Sequence, residues 1–304
     1  MNERIVNFHL DTQENINFIF ENNLTSRSII VEGKKGIGKK DLIIYLSGKI
    51  LSSSEKINKN IHPDLLIIDA GPEKILVDDI SVLDDWIYKP PFESKNKIVF
   101  INNSHNMTEI VQNKILKILE EPPSYLIFFL SVENSNILLP TVISRSLLFS
   151  LNKLPNEIVA EILDMIVDDE NRKLIVESMD GSLRNIDKFD NTIIQMLCET
   201  TDILLKRNLN DLDKVGNLID QINDRTSMSF LCEELSSLLL VKLKKDINNS
   251  VDSKANLVIY NNFINDLNFL SLNIKKYNLN PKLAIEELIL NYYLSNRKTM
   301  NQVV

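Results

Sequence analysis

A short β-branched run, a glycine-rich loop and an amphipathic helix follow one another between residues 28 and 51, and this succession restricts the fold more than any other feature. Ser28-Ile29-Ile30-Val31-Glu32 reads as a strand. Gly33-Lys34-Lys35-Gly36-Ile37-Gly38-Lys39-Lys40 follows, and Asp41 to Leu51 then carries apolar residues at helical spacing. Strand, loop and helix in that order make a phosphate-binding loop credible. Gly33, Gly36 and Gly38 allow backbone N–H groups to converge on phosphate oxygens at a helix N-terminus, and Lys39 is placed to reach the outer phosphates. The plain alternative is an ordinary glycine-rich turn between a strand and a helix.

The chemistry around that loop is incomplete. The position after Lys39 calls for a Ser or Thr hydroxyl to hold Mg²⁺, and Lys40 stands there instead. An ammonium only donates, and its charge competes with a metal ion. A second apolar run, Ile98-Val99-Phe100-Ile101, reads as a buried parallel strand. A hydrolysing P-loop ATPase should end it in Asp, yet Asn102-Asn103-Ser104-His105 follows. The two halves of one metal site are therefore both altered. His105 has no acid or cysteine beside it in sequence and reads as a surface residue rather than a catalytic one.

Residues 1 to about 150 alternate strand and helix patterns, the βα rhythm of a parallel sheet. A helix over Asp11 to Asn23 precedes the first strand, Leu65 to Asp69 forms another strand, and Val77 to Tyr88 the helix after it. Asn113 to Glu121 places Ile115, Leu116, Ile118 and Leu119 on one helical face, and Pro122-Pro123 stops the helix. Ile127 to Leu130 is a further buried strand, with polar Ser131 to Asn136 at its C-terminal end, where open α/β sheets place ligands. After Leu154-Pro155-Asn156-Glu157 the pattern turns wholly helical. Apolar stripes recur at Ile193, Ile194 and Leu197, at Ile203 to Leu205, at Leu231, Leu235, Leu238 and Leu239, at Phe263, Leu267, Leu270 and Ile274, and over Leu283 to Leu294. Asn248 to Ser253 reads as a loop between two of them.

Composition narrows the class. With 304 residues, 44% hydrophobic and 25% charged, the chain reads as a soluble globular protein of two or three domains. It contains neither a membrane-length apolar run nor a signal-peptide core near its start, and a cytoplasmic location is expected. Cys198 and Cys232 are the only cysteines, both at helix-core spacing, so a Cys₄ zinc site is excluded. The net charge of −8 argues against a stand-alone DNA binder; Lys34, Lys35, Lys39 and Lys40 mark a local anion site rather than a duplex track.

One set of motifs is more specific. His62-Pro63-Asp64, the stretch Ile98 to Met107, Asn113 to Pro123 ending in Glu-Glu-Pro-Pro, and Leu139-Pro140-Thr141-Val142-Ile143-Ser144-Arg145 occur in order over about 85 residues. In this order they resemble the clamp-loader branch of the AAA+ ATPases, and most of all its bacterial delta-prime type. Two departures stand out: the branch's Ser-Arg-Cys motif has Ser146 in place of cysteine, and the four-cysteine zinc module often found before His-Pro-Asp is absent.

The resemblance implies an α/β AAA+ P-loop domain over residues 1–153 with a degenerate nucleotide site, a small helical lid over 154–191 and an all-α collar domain over 192–304. It implies that Arg145, supported by Ser144, projects across a subunit interface as an arginine finger for a neighbour's nucleotide. Arg184 stands where the family places a second sensor; an exposed arginine at a helix start is the equal alternative. The residue that senses the γ-phosphate at the end of the 127–130 strand stays unassigned.

The implied function is that of a non-hydrolysing subunit of the DNA polymerase III holoenzyme. It would need no cofactor, bind ATP or ADP weakly or not at all, and hold no zinc. Its implied partners are gamma/tau-like ATPase and delta-like subunits, the sliding clamp indirectly, and primer–template DNA through the assembled complex. An active gamma/tau-like motor of the same family is the first alternative, opposed by Lys40 and Asn102. A AAA+ scaffold or adaptor outside replication is the second.

Overall fold

A computed structural model describes residues 3–21, 27–164, 171–206, 209–219, 224–248, 254–276 and 280–300. Five short strands form one sheet: β1 Ser28–Glu32, β2 Leu65–Ile68, β3 Lys97–Ile101, β4 Leu126–Val132 and β5 Leu147–Ser150. Their order is β2-β3-β4-β1-β5, and every pairing is parallel. The β-branched and aromatic residues alternate between two faces, as strand geometry requires. Ile30, Val99, Ile101, Phe128 and Leu130 pack with Val111, Ile115, Ile118 and Leu119 of helix Glu109–Glu120. Ile29, Val31, Ile98, Phe100, Ile127 and Phe129 pack on the other face with Leu42, Ile43 and Leu46 of helix Lys39–Ile50. Both faces are thus covered by helices, which is why the strands read as continuous apolar runs.

Some elements depart from the sequence expectation. Val77 to Tyr88 is a 3₁₀ turn, Asp78–Ile80, followed by helix Val82–Trp86. The Ser81 hydroxyl donates to the Asp78 carbonyl at 2.7 Å, and Asp79 accepts the Leu76 N–H at 2.7 Å; such local side-chain bonds favour the tighter turn. Residues 54–58, to which the sequence reading assigned no element, form a short helix. β5 gave no clear signal because it is short, pairs only with β1 and is half exposed along its length. Of the expected helix over 11–23, Leu10–Glu21 is seen and the rest lies outside the described residues, as does most of the expected loop at 248–253.

His-Pro-Asp has a structural task here. The buried Asp64 carboxylate accepts the N–H groups of Phe92, Glu93 and Ser94 at 2.6, 2.8 and 2.9 Å, and the Asp64 N–H donates to His62 Nδ1 at 3.1 Å. The motif therefore fastens the 92–94 loop to the start of β2.

The chain divides into two compact units: residues 1–158 with 182–184, and residues 159–181 with 185–304. The second unit is helical among its described residues. Helix Arg225–Asn248 packs against Lys254–Lys276, Asn191–Lys206 and Arg172–Met179. Leu231, Leu235, Leu238 and Leu239 of the first and Phe263, Leu267 and Ile274 of the second of these helices are buried. The last turn of helix Asn191–Lys206 leaves carbonyls without helical partners, and tyrosines meet them. Tyr293, Tyr292 and Tyr260 hydroxyls donate to the carbonyls of Ile203, Leu204 and Leu205 at 3.2, 3.1 and 3.2 Å.

Candidate functional site

The glycine-rich loop joins β1 to helix Lys39–Ile50 at the C-terminal edge of the sheet. Gly36 and Gly38 adopt φ of 79° and 95°, which glycine alone tolerates readily. At Gly36 there is a second reason: a Cβ would collide with the Arg184 amide and the Ser182 hydroxyl. The Ser182 hydroxyl donates to the Lys35 carbonyl at 2.6 Å, and the Leu183 N–H to the Gly36 carbonyl at 2.9 Å. His9 Nε2 lies 2.8 Å from the Ile37 carbonyl. Peptide planarity then points the N–H groups of Gly36, Ile37 and Gly38 away from their own bonded carbonyls. Arg184, the expected second sensor, meets this loop through its backbone.

Lys39 is buried, and its ammonium donates to the carbonyls of Gly33 and Lys34. Burial pulls its pKa down to about 8, against the opposing pull of Glu133. Lys40 turns elsewhere. Its Nζ lies 3.0 Å from Asp69 Oδ2 at the end of β2. The same oxygen accepts from Asn102 Nδ2 at 2.9 Å, and Asn102 Oδ1 accepts the Ser131 hydroxyl at 2.6 Å. Burial pushes the Asp69 carboxyl up, but the hydrogen bonds from Asn102 and Lys40 outweigh it and keep it below its ordinary value. The altered residues thus form one network, Lys40–Asp69–Asn102–Ser131, in which an ammonium lies beside the carboxylate and a metal ion would meet a like charge. Sequence reading missed Asp69 and Ser131 as members; an acid at one strand end and a hydroxyl in another were the available signals. Among the described residues no His, Cys, Asp and Glu cluster could hold a metal ion.

His105 lies in the 3₁₀ turn after β3, at the same strand edge. It is not a plain surface residue: its Nδ1 is buried without a hydrogen-bond partner, and its Nε2 is 4.0 Å from Glu133. Burial lowers its pKa, which keeps the ring neutral near pH 7.

Arg145 lies at the opposite edge. It follows helix Pro140–Ile143 and Ser144, and precedes β5 by one residue. Leu147 pairs with Ile29 in the parallel register, so Arg145 is level with the start of β1. The phosphate loop begins after the other end of that strand. At about 3.3 Å per residue the separation is roughly 20 Å, beyond the reach of one side chain. Arg145 Nη1 donates to the Thr141 carbonyl at 3.1 Å and lies 3.4 Å from the Ser144 hydroxyl, while Nη2 is 2.8 Å from Glu120 Oε1. Ser146 bonds the hydroxyl of Ser28 at 2.8 Å, holding the arginine's segment to β1. These residues border a cavity of about 520 Å³ with Arg27, Pro122 and Phe128.

Comparison with known proteins agrees with this architecture. The family described as DNA polymerase III, delta subunit, matches residues 9–155. The delta' subunit of DNA polymerase III from Buchnera aphidicola subsp. Schizaphis graminum is 27% identical over 278 residues, spanning 74% of this chain and 83% of that protein. The gamma/tau subunit from Mycoplasma genitalium is 26% identical over 230 residues, spanning 73% of this chain but only 36% of that protein. A DNA polymerase III gamma subunit-related protein from Thermotoga maritima shares the fold, with a TM-score of 0.60, 20% identity, and coverage of 92% of this chain and 98% of that one. Residues 9–155 are thus similar to DNA polymerase III clamp-loader subunits. The clamp-loader match at 9–155 includes the altered phosphate loop, the Asp69–Asn102 network and Arg145. Delta' and gamma/tau clamp-loader subunits match with nearly equal identity, so overall similarity does not separate them.

Proposed function

We propose that this chain is the non-hydrolysing, delta-prime-type subunit of a DNA polymerase III clamp loader, and that it offers Arg145 to a neighbouring ATPase subunit. The carrying observation is the placement of Arg145 on the sheet edge opposite its own phosphate loop. An arginine there can act on a nucleotide only in trans, where its planar fork meets the transferring phosphoryl group. Ser144 supports it as a hydrogen-bonding neighbour. Lys40 against Asp69, and Asn102 in place of an acid, support the absence of turnover at the chain's own site, because metal-assisted charge stabilisation carries much of phosphoryl transfer. On this reading ATP or ADP is held weakly or not at all, Arg184 stands at the second-sensor position beside the loop, and no zinc is required. The second unit displays Val258, Phe269, Leu272 and Leu283, each at least 60% exposed, which fits a collar that meets gamma/tau-like and delta-like subunits. The assembled ring would then place the sliding clamp on primed DNA.

Arg145→Ala in the reconstituted complex tests this. The variant should assemble in equal amount yet lower DNA- and clamp-stimulated ATP hydrolysis and loading. Fingers contribute about 10³ to 10⁵ at the site they serve, but the observed loss is smaller because other sites keep turning over. Arg145→Lys should rescue only in part, and the purified chain alone should hydrolyse ATP at background. Wild-type hydrolysis and loading by Arg145→Ala complexes would remove the finger. Turnover by the chain alone, abolished by Lys39→Ala, would favour the active-motor alternative.

A further inference from the structure

Glu120 ends helix Glu109–Glu120, a poor place for a carboxylate, because helix C-termini carry partial negative charge. Its Oε1 is 2.8 Å from Arg145 Nη2, and both side chains are open to solvent, at 50% and 36% exposure. Thr141 and Ser144 hold the guanidinium from its other side through Nη1. A guanidinium fork recognises carboxylate and phosphate by the same planar geometry. The Glu120 carboxylate therefore already lies where a phosphate oxygen would meet this arginine.

We propose that Glu120 is a positioning residue that latches Arg145 in a parked orientation, and that a neighbour's phosphate must displace it before the finger acts. The inference rests on the trans-acting reading of Arg145. The latch is weak by construction: a solvent-open ion pair shifts such an equilibrium by about fivefold at most. That is strong enough to hold the finger back when the interface is loose. It is weak enough to yield when DNA and clamp tighten the interface. Only the released fraction of Arg145 is competent, so the apparent rate scales with that fraction.

The test uses Glu120→Gln, which keeps the shape and the hydrogen-bond acceptor and removes the charge. Complexes are rebuilt with wild type, Glu120→Gln, Arg145→Ala and the double variant. ATP hydrolysis is measured with and without primed DNA and clamp. Glu120→Gln should raise the unstimulated rate about two- to fivefold and leave the stimulated rate near wild type, so the stimulation ratio falls. In the Arg145→Ala background the second change should do nothing. An unchanged urea midpoint for the isolated variant guards against misfolding, and Glu120→Ala should behave alike. If Arg145→Ala lowers hydrolysis but Glu120→Gln equals wild type in both conditions, or lowers the unstimulated rate, the latch is wrong and the finger stands. If Arg145→Ala itself matches wild type, the finger is wrong and the latch falls with it.

Discussion

At the scale of single residues, the phosphate loop shows how burial sets the charge of a lysine. Lys39 is 8% exposed and satisfied by two loop carbonyls. Its pKa of about 8 lies well below the ordinary value near 10.5. The folded state therefore binds fewer protons than the unfolded state between those two values, and stability should rise with pH across that window. Below about pH 8 the penalty of the buried charge is fully present. Lys39→Met removes the titrating group. The stability of wild type relative to Lys39→Met, from urea unfolding at pH 7.5 and pH 10, should thus shift in favour of wild type at the higher pH. A difference that stays constant across the range would mean that Lys39 is solvated. Lys40, one residue on, behaves oppositely: it reaches outward to Asp69 and stays more than half exposed.

At the scale of elements, loops rather than strand interiors are held by charged side chains. Asp64 is buried, and three N–H donors from 92–94 converge on it. Burial pushes its carboxyl up, but those donors outweigh it and hold it below the ordinary range. The stability it adds is present above its unfolded pKa and is lost as pH falls through the folded value. Asp64→Asn keeps one acceptor and turns amide hydrogens toward N–H donors. It should cost about 2 kcal/mol, since hydrogen bonds to a charged group contribute roughly 1.5 to 3 kcal/mol. Chemical denaturation of the full chain reads this, and the gap should narrow toward acid pH. A loss below 0.5 kcal/mol would show that the 92–94 loop is held by other contacts. The tyrosine hydroxyls at the end of helix Asn191–Lys206 do similar work with neutral groups.

At the scale of the molecule, the two units interleave in sequence. Helix Arg172–Met179 buries Ile175 and Val176, and it packs on helix Arg225–Asn248 of the same unit. A chain cut at residue 192 loses that partner. Its first unit should keep the sheet, which has its own core on both faces. Residues 159–164 and 171–181 should lose their structure, and incorporation into the complex should fail with them. Limited proteolysis of the truncated chain should cleave within 159–181 while sparing 28–151. Protection of 159–181, or normal assembly on size exclusion, would show that the helices after 192 are dispensable.

The sequence by itself determined the βα rhythm of residues 28–132, because parallel strands buried on both faces leave continuous apolar runs that can be read directly. It also fixed the chemical defects, since Lys40 has no oxygen to ligate a metal ion and Asn102 no negative charge, whatever their surroundings. Only the tertiary structure decided which partners those residues take. Asp69, Ser131 and Lys40 lie on different elements and meet only because three strands end at one edge. The same holds for Arg145. Its motif is local, but its distance from the chain's own phosphate loop follows from the parallel register of β1 and β5, and β5 is too short and too exposed to announce itself. Glu120 is visible in Glu-Glu-Pro-Pro, but that it faces an arginine 25 positions later is a fact of packing, not of spacing.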